Sequence, residues 1–305
     1  MTVADRSVAL ALGCLLAVAV WVGLGSSAPS HASSQSGARH VVGLHIFRFV
    51  DRDRVARFRN GRSGPRKLVT YVHYPTTGKA PYPLVVFCHG FALRPGTYTR
   101  LLDAWTRAGY VVAAPVFPVE NSAAPGGPDE TDLVNQPADV RFVLSRLLSQ
   151  NGSPNSPLHS LIDPHRIAVA GHSDGGETAF AAAYERHYLI ERIDAAIILS
   201  GAELAPDAIS PSTHRPLLAI QGSADRINPP IYTRALFQDA LPPKYLLTLI
   251  GAGHLPPYTS NRHRLALVER VTIAFLNHYL KNQPLRPLLI AGHSEPDSAR
   301  LVTNR

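Results

Sequence analysis

The chain has 305 residues, is 45% hydrophobic and 17% charged, and carries a net charge of +8 at pH 7. That length suits one large α/β domain, and that composition excludes a disordered chain. The positive balance is mostly arginine and comes with no nucleic-acid motif or basic helix face, so nucleic acid is not an expected partner.

Residues 1–32 read as an export signal. Arg6 gives a charged start, Val8 to Leu24 is an almost unbroken apolar run, and Ser26-Ser27-Ala28 and Ser30-His31-Ala32 offer small-x-small cleavage patterns. The alternative is an uncleaved membrane anchor over residues 8–24. The small polar residues after the run favour cleavage, and with it a secreted or cell-envelope protein. Removal of Cys14 with this segment leaves Cys88 as one thiol, which excludes an internal disulfide. Residues 33–39 read as a disordered start and 40–305 as one domain without internal repeats.

Leu44 to Val50 and Leu68 to Tyr74 read as short extended segments. The arginine-dense stretch between them, Asp51 to Arg66, reads as a solvated connection, with an anion site as the alternative. Pro83 to Cys88 and Val111 to Val116 are apolar strands. Between them Thr97 to Ala108 has helical spacing, with Leu101, Leu102 and Trp105 on one face. Glu120 to Pro128 is a loop, and Ala138 to Leu148 is a helix with Val140, Val143, Leu144 and Leu147 as its stripe. Further strands are expected at Ala195 to Ser200, Pro216 to Gln221 and Tyr245 to Ile250. Helices are expected at Ile231 to Leu241 and Leu265 to Leu280, and the tail from Pro284 shows no clear pattern. Short apolar strands alternating with helices predict a mainly parallel sheet covered on both faces.

The stretch Arg166 to Gly176 organises the rest. Ile167 to Ala170 is a buried-strand pattern, Gly175 onward is helix-prone, and Gly171-His172-Ser173-Asp174-Gly175 joins them. This is a G-x-S-x-G elbow, in which a sharp turn pushes the serine hydroxyl into the open at the top of the sheet. Side chains at the two glycines would collide as strand and helix pass. A serine hydroxyl needs a base, and the base needs a carboxylate, in the chain order Ser, acid, His. Asp225 follows the strand at 216 to 221, and His254 follows the strand at 245 to 250. Glu203, Asp207 and Asp239 are the competing acids; His263 and His278, in or beside the last helix, read as surface or packed residues. Backbone amides for a developing oxyanion are expected from Asp174 and Phe91, with Gly90 permitting the turn. His89 and His172 are expected to support the loop and the substrate pocket. Cys88 ends a strand without an elbow and reads as a buried, inert thiol. Gly292-His293-Ser294-Glu295-Pro296 copies the start of the elbow, lacks its closing glycine, and reads as a surface coincidence. No His, Cys and carboxylate cluster has metal-ligand spacing, so neither metal nor cofactor is expected.

With these residues the chain resembles the α/β-hydrolase superfamily. Within it, it is similar to the dienelactone-hydrolase-like, acetylhydrolase-like and actinobacterial cutinase or polyester-hydrolase-like serine esterases. The resemblance rests on Leu84 to Phe91, Gln136-Pro137-Ala138-Asp139-Val140, Asp163 to Ile167 leading into the elbow, Gly222 to Asp225, and Gly253-His254. It covers roughly residues 42 to 282 and implies an α/β-hydrolase fold with the roles given above for Ser173, Asp225, His254, Phe91 and Asp174. Asp174 stands where cutinase-like polyester hydrolases usually carry Met, and dienelactone hydrolases proper carry Cys at the elbow; neither of those activities is implied. The resemblance implies a serine hydrolase of carboxylic esters; the signal at 1–32 adds the expectation of secretion, and an open cleft suits small or extended esters. An acyltransferase or perhydrolase with the same triad, and a non-catalytic binding protein on this scaffold, are the alternatives. The short connection from Ser200 to Pro216 predicts no large cap domain and an open cleft. A monomer is expected, touching membrane only through an uncleaved signal.

Overall fold

Residues 40–202 and 213–305 are described by the computed structural model. The expected signal at 1–32, the start at 33–39, and Glu203 and Asp207 in the 200–216 connection lie outside the described residues.

The elements follow in chain order as β1 (Val42–Arg57), β2 (Ser63–Pro75), β3 (Tyr82–Cys88), α1 (Thr99–Arg107), β4 (Val111–Pro115), α2 (Gln136–Asn151), β5 (Ile162–His172), α3 (Asp174–Tyr184) and β6 (Ala195–Leu199). Then come β7 (Leu217–Gly222), α4 (Pro230–Asp239), β8 (Lys244–Leu249), α5 (Pro256–Thr259), α6 (Arg262–Lys281), α7 (Arg286–His293) and β9 (Ala299–Asn304). The strands form one sheet in the order β1-β2-β4-β3-β5-β6-β7-β8-β9. The run from β4 to β8 is parallel, while β1, β2 and β9 are antiparallel to their neighbours.

The central strands are buried along their whole length because both faces are covered. Alternation assigns successive residues to opposite faces. Leu84, Val86 and Cys88 of β3 enter one core with the α2 stripe and the alanines of α3. Val85 and Phe87 enter a second core with Trp105 of α1 and Val268, Val271 and Phe275 of α6. Trp105 is a core residue, as expected, and its indole N–H donates to Thr272 Oγ1 at 2.9 Å.

Two expectations need correction. The stretch from Asp51 to Arg66 is mostly strand, and Arg66 is 1% exposed. Its guanidinium donates to Asp132 at 2.9 and 2.7 Å and to Asp139 at 2.7 and 2.6 Å, and Arg54 Nη2 reaches Asp139 Oδ1 at 2.7 Å. Charged residues on an edge hairpin look like a loop because half of them face solvent; the ones that turn inward clamp β1 and β2 onto the start of α2. The tail after Pro284, expected to be patternless, forms α7 and β9. β9 covers the open edge of β8, a pairing that six residues with one apolar alternation signal weakly.

Candidate active site

β5 ends at His172 and α3 starts at Asp174, leaving Ser173 alone on the turn with φ 57° and ψ −125°. Such a backbone is strained for a residue with a side chain and persists only where its surroundings fix it. A Cβ at Gly171 would lie 1.8 Å from the Gly175 carbonyl oxygen, and one at Gly175 would lie 2.2 Å from that of Cys88. Both contacts are with backbone, so both glycines are required. The Ser173 amide donates to Leu199 O of β6 at 2.9 Å, and its carbonyl accepts from Gly176 N at 2.7 Å.

The loop after β7 carries Asp225, and the loop after β8 carries His254. His254 Nδ1 donates to Asp225 Oδ2 at 2.7 Å. The other carboxylate oxygen accepts from the amides of Ile227 and Asn228, both at 3.0 Å. Burial would raise the Asp225 pKa, but the His254 hydrogen bond and charge and the Asn228 amide hold it below the usual carboxylate range. An ionised Asp225 fixes the His254 tautomer with its proton on Nδ1, which leaves Nε2 as a proton acceptor. Ser173 Oγ donates to Asp174 Oδ1 at 3.3 Å and accepts from Asn228 Nδ2 at 3.3 Å. Among the described residues it makes no hydrogen bond to His254; serine–histidine contacts are commonly loose before substrate arrives.

The supporting histidines are buried and held neutral. Burial lowers His89 to about 4 and, with the nearby His254, lowers His172 to about 3. His89 Nδ1 donates to Gly90 O at 2.9 Å and its Nε2 accepts from Phe117 N at 3.1 Å. His172 Nε2 donates to the His254 carbonyl at 3.1 Å, so its Nδ1 accepts from Tyr98 Oη at 2.8 Å. Tyr98 Oη in turn accepts from the Gly90 amide at 3.3 Å. One continuous chain of hydrogen bonds therefore joins the loop after β3 to the loop carrying His254. Gly90 approaches so closely that a Cβ there would lie 3.0 Å from that of Ser173. The next residue, Phe91, is 38% exposed, and its amide meets no protein acceptor among the described residues.

The structure thus gathers Ser173, Asp174, Asp225, His254, His172, His89 and Gly90 at one rim, with Phe91 beside them. The remaining candidates lie elsewhere. Asp239 ends α4, His263 pairs with Glu295 at 2.9 Å, and His278 binds Gln283 O at 2.6 Å. Ser294 follows α7 and donates to Ala291 O at 2.8 Å. Cys88 is fully buried, and burial pushes its thiol far up, so it is not nucleophilic. Among the described residues no group of three or more His, Cys, Asp or Glu could hold a metal ion. Sequence reading missed Asn228, Tyr98 and Glu120. Asn228 alone left a signal, as the closing residue of the turn that Asp225 caps.

Comparison with known proteins agrees with this architecture. A family model described as Chlorophyllase matches residues 49–200, about half of the chain. Chlorophyllase-1, chloroplastic, of Citrus sinensis is 34% identical over 104 residues, which are 34% of this chain and 29% of that protein. Chlorophyllase-1 of Arabidopsis thaliana is 33% identical over 124 residues, 41% of this chain and 35% of that one. The chain thus matches only about a third of the length of these relatives. A solved ferulic acid esterase from Streptomyces cinnamoneus superposes with a TM-score of 0.68 and 21% identity, covering 88% of this chain and 98% of that one. The chain has the α/β-hydrolase fold. Within it, the part that holds the elbow and the loop after β3 is similar to the chlorophyllases.

Proposed function

We propose that this chain is a carboxylic ester hydrolase working through an acyl-enzyme formed on Ser173. The observation that carries the reading is the 2.7 Å contact of His254 Nδ1 with Asp225 Oδ2 at the rim where Ser173 is presented on its elbow. His254 Nε2 takes the Ser173 proton as Oγ attacks the ester carbonyl. The amides of Phe91 and Asp174, the latter at the N-terminus of α3, receive the oxyanion. His254 then protonates the departing alcohol, and a water activated by the same ring releases the acid. The relatives' names, chlorophyllase and ferulic acid esterase, are those of ester hydrolases and support the reaction class. Val8 to Leu24 and the small residues after it support export of the mature chain.

The test is hydrolysis of neutral esters of increasing acyl length, with fluorophosphonate labelling of the purified protein. Ser173→Ala and His254→Ala are each expected to abolish nearly all turnover, with the double variant little worse than either. The residue left should be on the order of a thousandfold over water, from binding and the oxyanion amides. Asp225→Asn should remove less. A folded Ser173→Ala protein with near-normal turnover would overturn the reading. Product analysis with an added alcohol or peroxide distinguishes hydrolysis from acyl transfer.

A further inference from the structure

Two buried acids meet directly behind the nucleophile. Glu120, in the loop after β4, is 0% exposed, and Asp174 is 4% exposed. Both Glu120 carboxyl oxygens and Asp174 Oδ2 lack any protein donor among the described residues. Yet the two carboxyl groups lie within hydrogen-bonding reach of each other. An ionised carboxylate only accepts, so two in contact can bond only if one of them carries a proton. We infer that Glu120 and Asp174 share a single proton beside Ser173, and that loss of this proton sets the alkaline limit of the reaction.

The surroundings favour that state. Glu130 and Asp132, from the 3-10 turn before α2, add negative charge, and Asp132 is itself tied to Arg66. Tyr98 and Cys88 face Glu120 as neutral groups, since burial raises both. His254 faces Asp174 across the site, and Ser173 Oγ touches it. Burial, with the charges of Asp174, Asp132 and Glu130, pushes the Glu120 carboxyl up to about 10. Burial also raises Asp174, against the stabilising contacts of Glu120, Ser173, its own amide and His254. With one proton the pair carries one negative charge, held on Asp174 and satisfied by the Glu120 O–H. Without it, two charges sit beside the place where the oxyanion forms, and the Asp174 carboxylate competes with substrate for its own amide. Glu120 acts here as a positioning residue. Its carbonyl also accepts from Ala92 N at 3.0 Å, holding the segment that presents Phe91.

A carboxyl whose folded pKa is raised holds its proton in the native state and loses it on unfolding. Stability therefore falls as pH rises from the unfolded value, 4.5, towards the folded value, about 10. One proton changes the folding constant up to tenfold per pH unit in that window.

The experiment compares the full chain with Glu120→Gln and Asp174→Asn. Either amide donates to the remaining carboxylate, reproducing one charge and one hydrogen bond with nothing left to titrate. Chemical denaturation between pH 5 and pH 9 should give a wild-type stability that declines against both variants, with the curves converging at the acid end. In kcat/KM against pH for a neutral ester followed by pH-stat, the wild type should show an alkaline fall that Glu120→Gln lacks. Stability curves that stay parallel, or an alkaline fall kept unchanged in Glu120→Gln, would overturn the inference. The kinetic half rests on the ester-hydrolase reading. The denaturation half needs no substrate, so an inactive protein whose curves converge as stated would sink that reading and leave the shared proton standing.

Discussion

In the proposed reaction Phe91 divides its contribution between backbone and ring. Its amide faces no protein acceptor among the described residues, and the residue is 38% exposed. Phe91→Ala is therefore expected to change the ranking of ester substrates while leaving turnover of the smallest one largely intact. Phe91→Pro deletes the N–H and should lower turnover on the order of a hundredfold or more. Equal losses in two folded variants would remove the backbone role. The elbow at Ser173 and the contact of Asp225 with His254 were legible because the proposed chemistry fixes their order, and each follows a recognisable apolar strand. Tyr98, Asn228 and Glu120 were not. Tyr98 meets His172 from 74 positions away and Asn228 meets Ser173 from 55; the turn that Asp225 caps marks Asn228 as its closing residue but does not point to Ser173. The Asp174 side chain touches Ser173 Oγ, a contact that the elbow motif does not announce.

The β1–β2 hairpin is held by charge as well as by apolar contact: Phe47, Phe49, Leu68 and Val72 join the core, and an ion cluster ties the rest down. Arg66 is buried against Asp132 and Asp139, and Arg54 shares Asp139 from the exposed side. Removing one partner of such a cluster strands the others in a low-dielectric site. Arg66→Met should lower stability by about 3–5 kcal/mol. Restoring balance with Asp132→Asn in the same chain should recover part of the loss. Urea denaturation at neutral pH measures both, and additive losses would mean that the cluster does not act as a unit. Only the 51–66 part of the hairpin reads as a connection in the sequence, because periodicity finds strands by apolar alternation and here the inward positions include arginine. β3, β4, β6 and β7 were legible for the opposite reason: strands buried on both faces leave unbroken apolar runs. α7 and β9 were missed because each is short and gains its stability from the neighbours it covers, Gly292 lying against Leu301.

At the scale of the molecule, the proposed export and the proposed catalysis belong to separate parts of the chain. Among the described residues no helix is long and apolar enough to cross a membrane. N-terminal sequencing of protein recovered from the medium is expected to start near Ala28 or Ala32, and an intact Met1 on membrane-bound material would reverse that expectation. The parallel arrangement of β3, β5, β7 and β8 has a further consequence. Each of these strands ends at the same rim, and each delivers a different part of the proposed chemistry on its own connecting segment: an amide donor, the nucleophile, the acid and the base. The Chlorophyllase match ends at residue 200, before the acid and base are reached. A lineage built this way can alter one segment by insertion without disturbing the hydrogen-bond register of the others. Diversification can then proceed piecemeal: the elbow stays recognisable across distant descendants, while the outer turns that meet the acyl and alcohol groups drift and are reselected independently.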